Sequence, residues 1–334
     1  MDCLPAEFYE SVVRSMKDRS ELLKLPSKSN FRKFAEIHEE RKPKDCFPPI
    51  LKLYGPTLEK DLRRCERDAK YYEKLILKLS PDEEDTEDEQ VHPTTLPFNF
   101  HARLKRLCYP VEDVSANLTW DPIKTPSSCD LVSELSINDV SLTVHSFSNL
   151  NGLWNELTKL TNIRRLSCFA FDIVYSIDEM DEDEETPEFL DKFVDHFFES
   201  NLEVMNLDFE AYGEDVWEAL MRGWTETNDK LKSKGKMFYG CAFYPQMLEE
   251  SFPLEKTDFS VENGHLKTVG SMELSAELSE SIGWVCQLPE CTTELYSIPH
   301  PSIAGYRACI LHTFVLRDGM KLCNHNKVFF IEDK

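Results

Sequence analysis

A six-position hydrophobic pattern recurs along the chain and constrains the fold more than any other feature. It places apolar residues at its first, fourth and sixth positions, as in the segment Val-Met-Asn-Leu-Asp-Phe at 204–209. Copies begin at residues 104, 132, 163, 204, 238 and 269, so the successive intervals are 28, 31, 41, 34 and 31 residues. Because 41% of the residues are hydrophobic, about twenty copies arise by chance, and only the regular spacing carries weight.

The longest interval contains a run of acidic residues. Positions 178–185 hold seven acidic residues in eight, and positions 82–89 hold seven in eight as well. Runs of like charge repel themselves and stay solvated, so we expect both to be loops. Without the second run, the period returns to about 31 residues. A calcium cage is disfavoured because the glycine and alternating ligands of an EF-hand are missing; docking of a basic partner remains an alternative.

Helical patterns alternate with these strand-like segments, at 150–160, 189–198 and 216–224. A stack of strand–helix units, with each strand pairing in parallel with the next, fits this alternation. We therefore predict an α/β fold built as an irregular leucine-rich-repeat-like solenoid. The alternative is an ordinary α/β or α+β sandwich, because the Asn or Cys that usually follows each repeat strand is absent at positions 140, 171 and 212.

The two ends of the chain differ from this middle region. Asp318-Gly319 lies between two β-rich segments, which predicts a C-terminal β-hairpin that closes the far end of the sheet. At the other end, Pro5 occupies a position that a first helical turn accepts. An apolar stripe at helical spacing follows it, formed by Leu4, Phe8, Val12, Val13 and Met16. Such a small helical module buries little surface alone and must lean on the rest of the chain or on a partner.

These features predict four regions. The helical module occupies residues 1–41, and prolines between 43 and 56 end it. Residues 42–100 form a linker with a long helix, capped by Thr57 and running from Leu58 to about Leu79, and the first acidic loop. The repeat region occupies 101–300, and the hairpin occupies 301–334.

Charge and cysteine content restrict the partners. The formal net charge is −23, from 61 acidic and 38 basic residues, and such a field repels nucleic-acid phosphates and anionic membrane surfaces. No apolar segment follows Met1 or reaches membrane-spanning length, so we expect neither a secretory signal nor a membrane span. The 11 cysteines then indicate a reducing intracellular compartment, cytoplasmic or nuclear, in which most act as core residues.

No catalytic motif is present. The sequence contains no Gly-x-Ser-x-Gly, phosphate-binding loop or dinucleotide fingerprint. Cys286, Cys291, Cys323 and His325 lack the paired short spacings of a structural zinc site, and we interpret His300, between two prolines, as a surface turn residue. We therefore predict no enzyme activity, no metal and no cofactor, with an enzyme of unrecognised chemistry as the alternative.

The N-terminal residues resemble an F-box, the short helical module that docks on the Skp-family adaptor of cullin-type ubiquitin ligases. The resemblance covers about 35 residues. It rests on Leu4-Pro5-x-Glu7-Phe8, Val12-Val13, Leu22-Leu23, Leu25, Ser27-Lys28, Phe31 and Phe34. With the acidic, repeat-like remainder, the chain is similar to the expanded F-box families of nematodes.

The resemblance implies a non-enzymatic, substrate-recruiting subunit. In these families the remainder of the chain is thought to hold a protein target for ubiquitylation. The implied adaptor-binding residues are Leu4, Pro5, Phe8, Val12, Val13, Leu25 and Phe31. Two alternatives stay open: the module caps the first repeat instead of docking, and the protein is an interaction scaffold without a ubiquitin role.

Overall fold

A computed structural model defines the fold and divides the chain into two compact units, residues 1–115 and 116–334. Several of the features above fall outside the part of the chain it describes, including both acidic runs, Leu4 and Pro5. The described residues are 8–9, 12–13, 20–41, 48–54, 57–69, 72–79, 99–111, 113–119, 125–135, 137–144, 155–170, 188–209, 213–227, 229–240, 244–283, 285, 291–317 and 320–332.

The first unit combines short helices with a pair of parallel strands. Its elements are α1 (Ser20–Leu23), α2 (Asn30–Arg41), β1 (Ile50–Lys52), α3 (Leu58–Asp68), β2 (Lys74–Lys78) and α4 (Phe100–Cys108). β1 and β2 pair in parallel, with Leu51 opposite Leu77, and both of these side chains are fully buried. α3 packs on β1 and on α4, so the apolar faces of both helices lie in the core of this unit.

Arg103 connects α3 to α4. Its guanidinium contacts Glu59 and Glu66 of α3, with nitrogen–oxygen distances of 2.7 Å to each carboxylate. The hydrogen bond to Glu66 raises the pKa of Arg103 the most, and the hydrogen bond to Glu59 raises it further. Because the guanidinium bridges two turns of α3, it fixes the rotation of one helix against the other.

The predicted long helix 58–79 is wrong in its second half. Thr57 lies at the N-cap position, but its side chain makes no capping hydrogen bond. α3 ends at Asp68, and β2 begins at Lys74. Leu75 and Leu77 are fully buried on one face of β2. Their alternation is the period of a strand rather than of a helix.

The second unit contains a mixed sheet covered by helices. Its elements are β3 (Asp113–Thr119, which spans the boundary between the units), α5 (Thr125–Glu134), β4 (Asp139–Val144), β5 (Arg165–Ala170), α6 (Glu188–Glu199), β6 (Val204–Phe209), α7 (Gly213–Glu226), β7 (Met237–Gly240), β8 (Glu255–Lys256), β9 (Phe259–Glu262), β10 (His265–Val269), β11 (Met272–Glu273), α8 (Ala276–Ile282), β12 (Cys291–Pro299), β13 (Tyr306–Arg317) and β14 (Met320–Glu332). Two short 3-10 helices occupy Lys230–Lys232 and Pro245–Glu250.

Parallel and antiparallel pairing meet within this sheet. β4, β5, β6 and β7 pair in parallel in chain order. In the sequence, α6 lies between β5 and β6, and α7 lies between β6 and β7. The two helices pack against each other. β14 then pairs antiparallel with β7, and β13, β12 and β8 follow, each antiparallel to its neighbour. β9, β10 and β11 form a separate antiparallel sheet.

The prediction of a leucine-rich-repeat-like solenoid is therefore wrong. A solenoid adds each new strand in chain order. Here the strand beside β7 is β14, from the C-terminus, and four strands are antiparallel. Two of the six pattern copies also begin inside helices: residue 104 lies in α4 and residue 132 lies in α5.

The C-terminal strands have a different role from the one we predicted. β13 and β14 pair antiparallel, from the pair of Arg317 with Met320 to the pair of Tyr306 with Glu332. They do not close the far end of the sheet, because β12 and β8 lie beyond them in the strand order. Phe329, fully buried on β14, pairs with Met237 of β7. No helix in the described part of the chain is long and apolar enough to span a membrane.

Candidate functional site

The N-terminal module contains a cluster of four aromatic rings, which we call the aromatic cluster: Phe8, Tyr9, Phe31 and Phe34. The ring centroids of Tyr9 and Phe31 are 4.9 Å apart, edge to face, and those of Tyr9 and Phe34 are 5.8 Å apart, stacked. Phe8 reaches Phe31 at 6.4 Å. Such aromatic pairs add roughly 0.5–1.5 kcal/mol beyond the burial of their area.

The spacing on α2 explains how the cluster forms. Phe31 and Phe34 are three residues apart and therefore share one face of the helix. Arg32 fixes the start of this helix, because its guanidinium donates to the Leu25 carbonyl at 2.9 Å and to the Glu36 carboxylate at 2.7 Å. The segment between α1 and α2 is thus tied to the helix that carries the rings.

The predicted adaptor-binding residues lie at different depths. The Phe8 side chain is 42% exposed, whereas Val13 is only 1% exposed and lies in the interior. Val12, Leu25 and Phe31 are half-buried. The structure therefore brings Phe8 and Phe31 together in one cluster and separates Val13 from the surface.

Tyr9 is the residue of this cluster that the sequence analysis missed. Its side chain is 2% exposed, and its ring contacts three other aromatic rings. Tyr9 and Val13 are four residues apart and both buried, so the inner face of this segment is rotated by one residue from the stripe that begins at Leu4. The sequence offered no signal that singled out this face, because Phe8 and Val12 have the same four-residue spacing as Tyr9 and Val13.

His300 is buried, which corrects its interpretation as a surface turn residue. It is 6% exposed. Its Nε2 lies 3.2 Å from the Trp224 carbonyl oxygen and 3.0 Å from that of Thr227, while Nδ1 accepts hydrogen bonds from the amides of Ser302 and Ile303. These four contacts specify the neutral tautomer that carries its proton on Nε2. His300 therefore joins the end of α7 to the turn before β13.

Five of the six described cysteines agree with the prediction that most cysteines are core residues, whereas Cys291 is half-buried. Cys65, Cys108, Cys129, Cys168 and Cys309 are buried. Burial raises the pKa of Cys108 and of Cys129 to about 12, so neither forms the thiolate that a nucleophile requires. Among the described residues, no group of three or more His, Cys, Asp and Glu side chains could hold a metal ion. Cys286 lies outside the described residues, as do the side chains of Cys323 and His325.

Comparison with known proteins adds little to this geometry. No protein-family model matches the sequence, and no curated protein matches it. One solved structure that is similar over part of its length is an S-adenosylmethionine-dependent methyltransferase from Clostridium acetobutylicum ATCC 824, with 9% sequence identity and a TM-score of 0.14. The match covers 66% of this chain and 67% of the other. A TM-score this low carries no information about fold or activity.

Proposed function

We propose that this chain is a non-enzymatic, substrate-recruiting subunit of a cullin-type ubiquitin ligase and acts inside the cell. Its N-terminal module would dock on a Skp-family adaptor, and the α/β remainder would hold a protein target. The order of F-box-like residues from Leu4 to Phe34 supports the docking role. The target-binding role does not depend on a repeat solenoid, since it requires only a surface on the second unit.

The exposure of Phe8 is the observation that carries the proposal. Phe8 is adjacent in sequence to the buried Tyr9 and packs on Phe31, yet 42% of its side chain is exposed. Ile37, on α2, is 38% exposed. Large aromatic residues that are held in place but only partly covered are typical anchors of protein–protein interfaces. A partner would bury the remaining ring area at little further cost in conformational entropy.

The burial of Val13 favours the alternative, a scaffold in which the module serves only internal packing. Val13 and Tyr9 are only 1% and 2% exposed, and buried side chains contribute to folding rather than to docking. The two functions differ in what Phe8 does. In a docking module its loss weakens binding, and in a packing module its loss weakens folding.

Replacing Phe8 with Ala distinguishes these functions. We expect purified full-length chain to bind a purified Skp-family adaptor by isothermal titration calorimetry. Phe8→Ala should weaken this binding by about thirtyfold, which corresponds to about 2 kcal/mol for a central aromatic anchor. Because Phe8 is partly exposed, the melting temperature should change by only a few degrees.

Two matched variants control this experiment. Ile50→Ala removes an apolar side chain that is 50% exposed on β1, outside the module, and should leave adaptor binding unchanged. Tyr9→Ala removes a buried ring of the same cluster and should lower stability by about 3 kcal/mol. If wild-type chain does not bind the adaptor, or if Phe8→Ala lowers stability and leaves binding unchanged, the ubiquitin-ligase proposal is wrong.

A further inference from the structure

A cavity of about 640 Å³ lies in the second unit. One wall is formed by the first 3-10 helix and the segment after it, and another by β11 and α8. The start of β13 and the end of β14 complete the lining. The apolar lining consists of Met272, Leu274, Leu278, Phe330 and Ile331. This volume falls within the range of sites that hold a small ligand or a short peptide segment.

The charged residues that line the cavity form two groups. Lys230 and Glu332 pair with each other at 2.5 Å, and this contact lowers the pKa of the Glu332 carboxyl. Lys234 lies on the same wall and is exposed, while Glu273 and Glu277 are exposed on the wall formed by β11 and α8. One group of lining residues, Lys230, Lys234 and Glu332, therefore carries a net positive charge, and Glu273 and Glu277 carry two negative charges, around an apolar interior.

The backbone at the cavity is also available for pairing. β11 supplies Met272 and Glu273 to the lining. It pairs with β10 on one side and is the last strand in the order of its sheet. Within the part of the chain that is described, no strand pairs with its other side. A free strand edge offers backbone N–H and C=O groups that an extended peptide can satisfy.

We propose that this cavity binds an extended peptide segment of a partner protein, with an apolar residue in the centre and opposite charges on its two sides. The apolar side chain would pack on Leu278 and Phe330. An acidic residue would face Lys234, and a basic residue would face Glu273 and Glu277. The peptide backbone would pair with the free edge of β11.

The combination of features selects a peptide over a small molecule. Complementary charge on two walls and an apolar interior would suit either, but a strand edge recognises the repeating backbone of a polypeptide. This inference deepens the proposed function and rests on it, because the cavity would be the surface on the second unit that holds the target. It can nevertheless be tested without the adaptor.

The experiment uses full-length chain and two fluorescein-labelled pools of seven-residue peptides with leucine at the centre. One pool carries Glu at one end and Lys at the other, in both orders, and the second pool carries Gln at both ends. Binding is measured by fluorescence polarisation. We expect the charged pool to bind, and the Gln pool to bind at least about fivefold more weakly, because the charge contacts are lost.

Charge reversals in the chain provide matched pairs. Lys234→Glu and Glu277→Lys each change a lining residue and should weaken binding of the charged pool by about fivefold or more. Lys232→Glu and Glu280→Lys change exposed neighbours that do not line the cavity, and should stay within about twofold of wild type. Binding by the charged pool should also protect the amide of Glu273 from hydrogen exchange, because in the β10–β11 pair this N–H points to the free edge, whereas that of Met272 faces Val269.

The outcomes separate this inference from the proposed function. Phe8→Ala should leave peptide binding unchanged. If the charged pool does not bind, if both pools bind equally, or if the control reversals weaken binding as much as the lining reversals, the cavity is not a peptide site. Adaptor binding that persists in that case leaves the ubiquitin-ligase proposal intact, whereas peptide binding without adaptor binding supports the cavity alone.

Discussion

Lys236 shows how one buried cation makes folding depend on pH. Its side chain is 8% exposed. The ammonium donates hydrogen bonds to the carbonyl oxygens of Ser200 and Leu202, just beyond the end of α6, and lies 5.2 Å from the centre of the Phe197 ring. Burial lowers the pKa of Lys236 to about 8, and only Glu203 opposes this shift.

We expect Lys236 to make the protein more stable as the pH rises through this range. The unfolded lysine keeps its proton up to its ordinary pKa of 10.5, while the folded one loses it near 8. Between these values the unfolded state binds more protons, so the free energy of unfolding increases with pH. The slope is up to about 1.4 kcal/mol per pH unit, and the whole gain is about 3 kcal/mol.

Lys236→Met isolates this effect from the titration of other groups. Methionine keeps the apolar part of the side chain but cannot titrate. Urea unfolding of both proteins between about pH 7 and pH 11 gives the difference in their free energies of unfolding. This difference should shift in favour of the wild type above about pH 8. A difference that does not change with pH would contradict the predicted shift.

The burial of a single residue was predictable from the sequence only where it does not depend on residues far away in the chain. Five of the six described cysteines are buried, as the sequence predicted for most of them, because a small apolar side chain is buried wherever the chain is compact. His300 was misassigned because its partners, Trp224 and Thr227, lie more than 70 positions away. Its flanking prolines indicated a turn, but the burial of that turn follows from the packing of α7, which no local pattern reports.

At the scale of elements, the recurring pattern predicted some strands and misassigned others for one physical reason. Apolar residues at positions i, i+3 and i+5 fit a helix as well as a strand. In β6 the prediction of a strand at 204–209 is confirmed, and Met205 and Leu207 are buried on one face. In α4, Leu104 and Leu107 are buried together one helical turn apart, while Tyr109, the third apolar residue, is 91% exposed.

The spacing of the apolar residues one by one along the chain would have distinguished the strand from the helix. A strand that is buried on one face places its core residues two apart, whereas a helix places them three or four apart. Val140, Leu142 and Val144 in β4 show the strand spacing and are all buried. The strand that we predicted at 132–137 does not form at its start, because Val132 lies in α5.

Gly223 controls how closely α6 and α7 approach each other. A Cβ atom at this position would lie 2.5 Å from Cγ1 of Val194 and 3.7 Å from the Phe198 ring. Alanine favours a helix over glycine by about 1 kcal/mol, but overpacking a filled interface costs about 1–3 kcal/mol. Because both Val194 and Phe198 are buried, we expect Gly223→Ala to lower the free energy of unfolding by about 1 kcal/mol.

A double-mutant cycle checks the cause of this loss. Val194→Ala removes the methyl group that the new Cβ atom would meet. In that background Gly223→Ala should become neutral or stabilising by up to about 1 kcal/mol, since only the helix preference remains. Chemical denaturation of the four proteins measures the coupling. If Gly223→Ala has the same effect in both backgrounds, the two helices do not meet at this position as described.

At the scale of the whole molecule, strand order was beyond the reach of the sequence. Four consecutive parallel strands, β4 to β7, follow chain order, and a repeating pattern predicts that much. After β7 the chain builds β9, β10 and β11 as a separate sheet and returns through β12 and β13 to β14, which pairs with β7. This return brings together residues that are far apart in the chain, such as Phe329 and Met237, and no periodicity encodes such a pairing.

The net charge predicts how the whole molecule responds to salt. With a formal charge of −23, carboxylates repel one another more in the compact state than in the unfolded chain. Salt screens this repulsion, since the Debye length falls from about 30 Å at 0.01 M to about 10 Å at 0.1 M. Salt also weakens exposed ion pairs such as Lys230–Glu332, but exposed pairs contribute little to stability.

We therefore expect the melting temperature to rise by a few degrees when NaCl increases from about 10 mM to about 200 mM. Calorimetry on the same sample with added chelator should give an unchanged curve, because the sequence predicts no bound metal. A neutral solute at matched osmolality controls for effects other than screening. A melting temperature that falls with NaCl would show that ion pairs outweigh the net repulsion. A calcium salt at equal ionic strength that stabilises far more than NaCl would reveal a specific cation site and overturn the prediction of no metal.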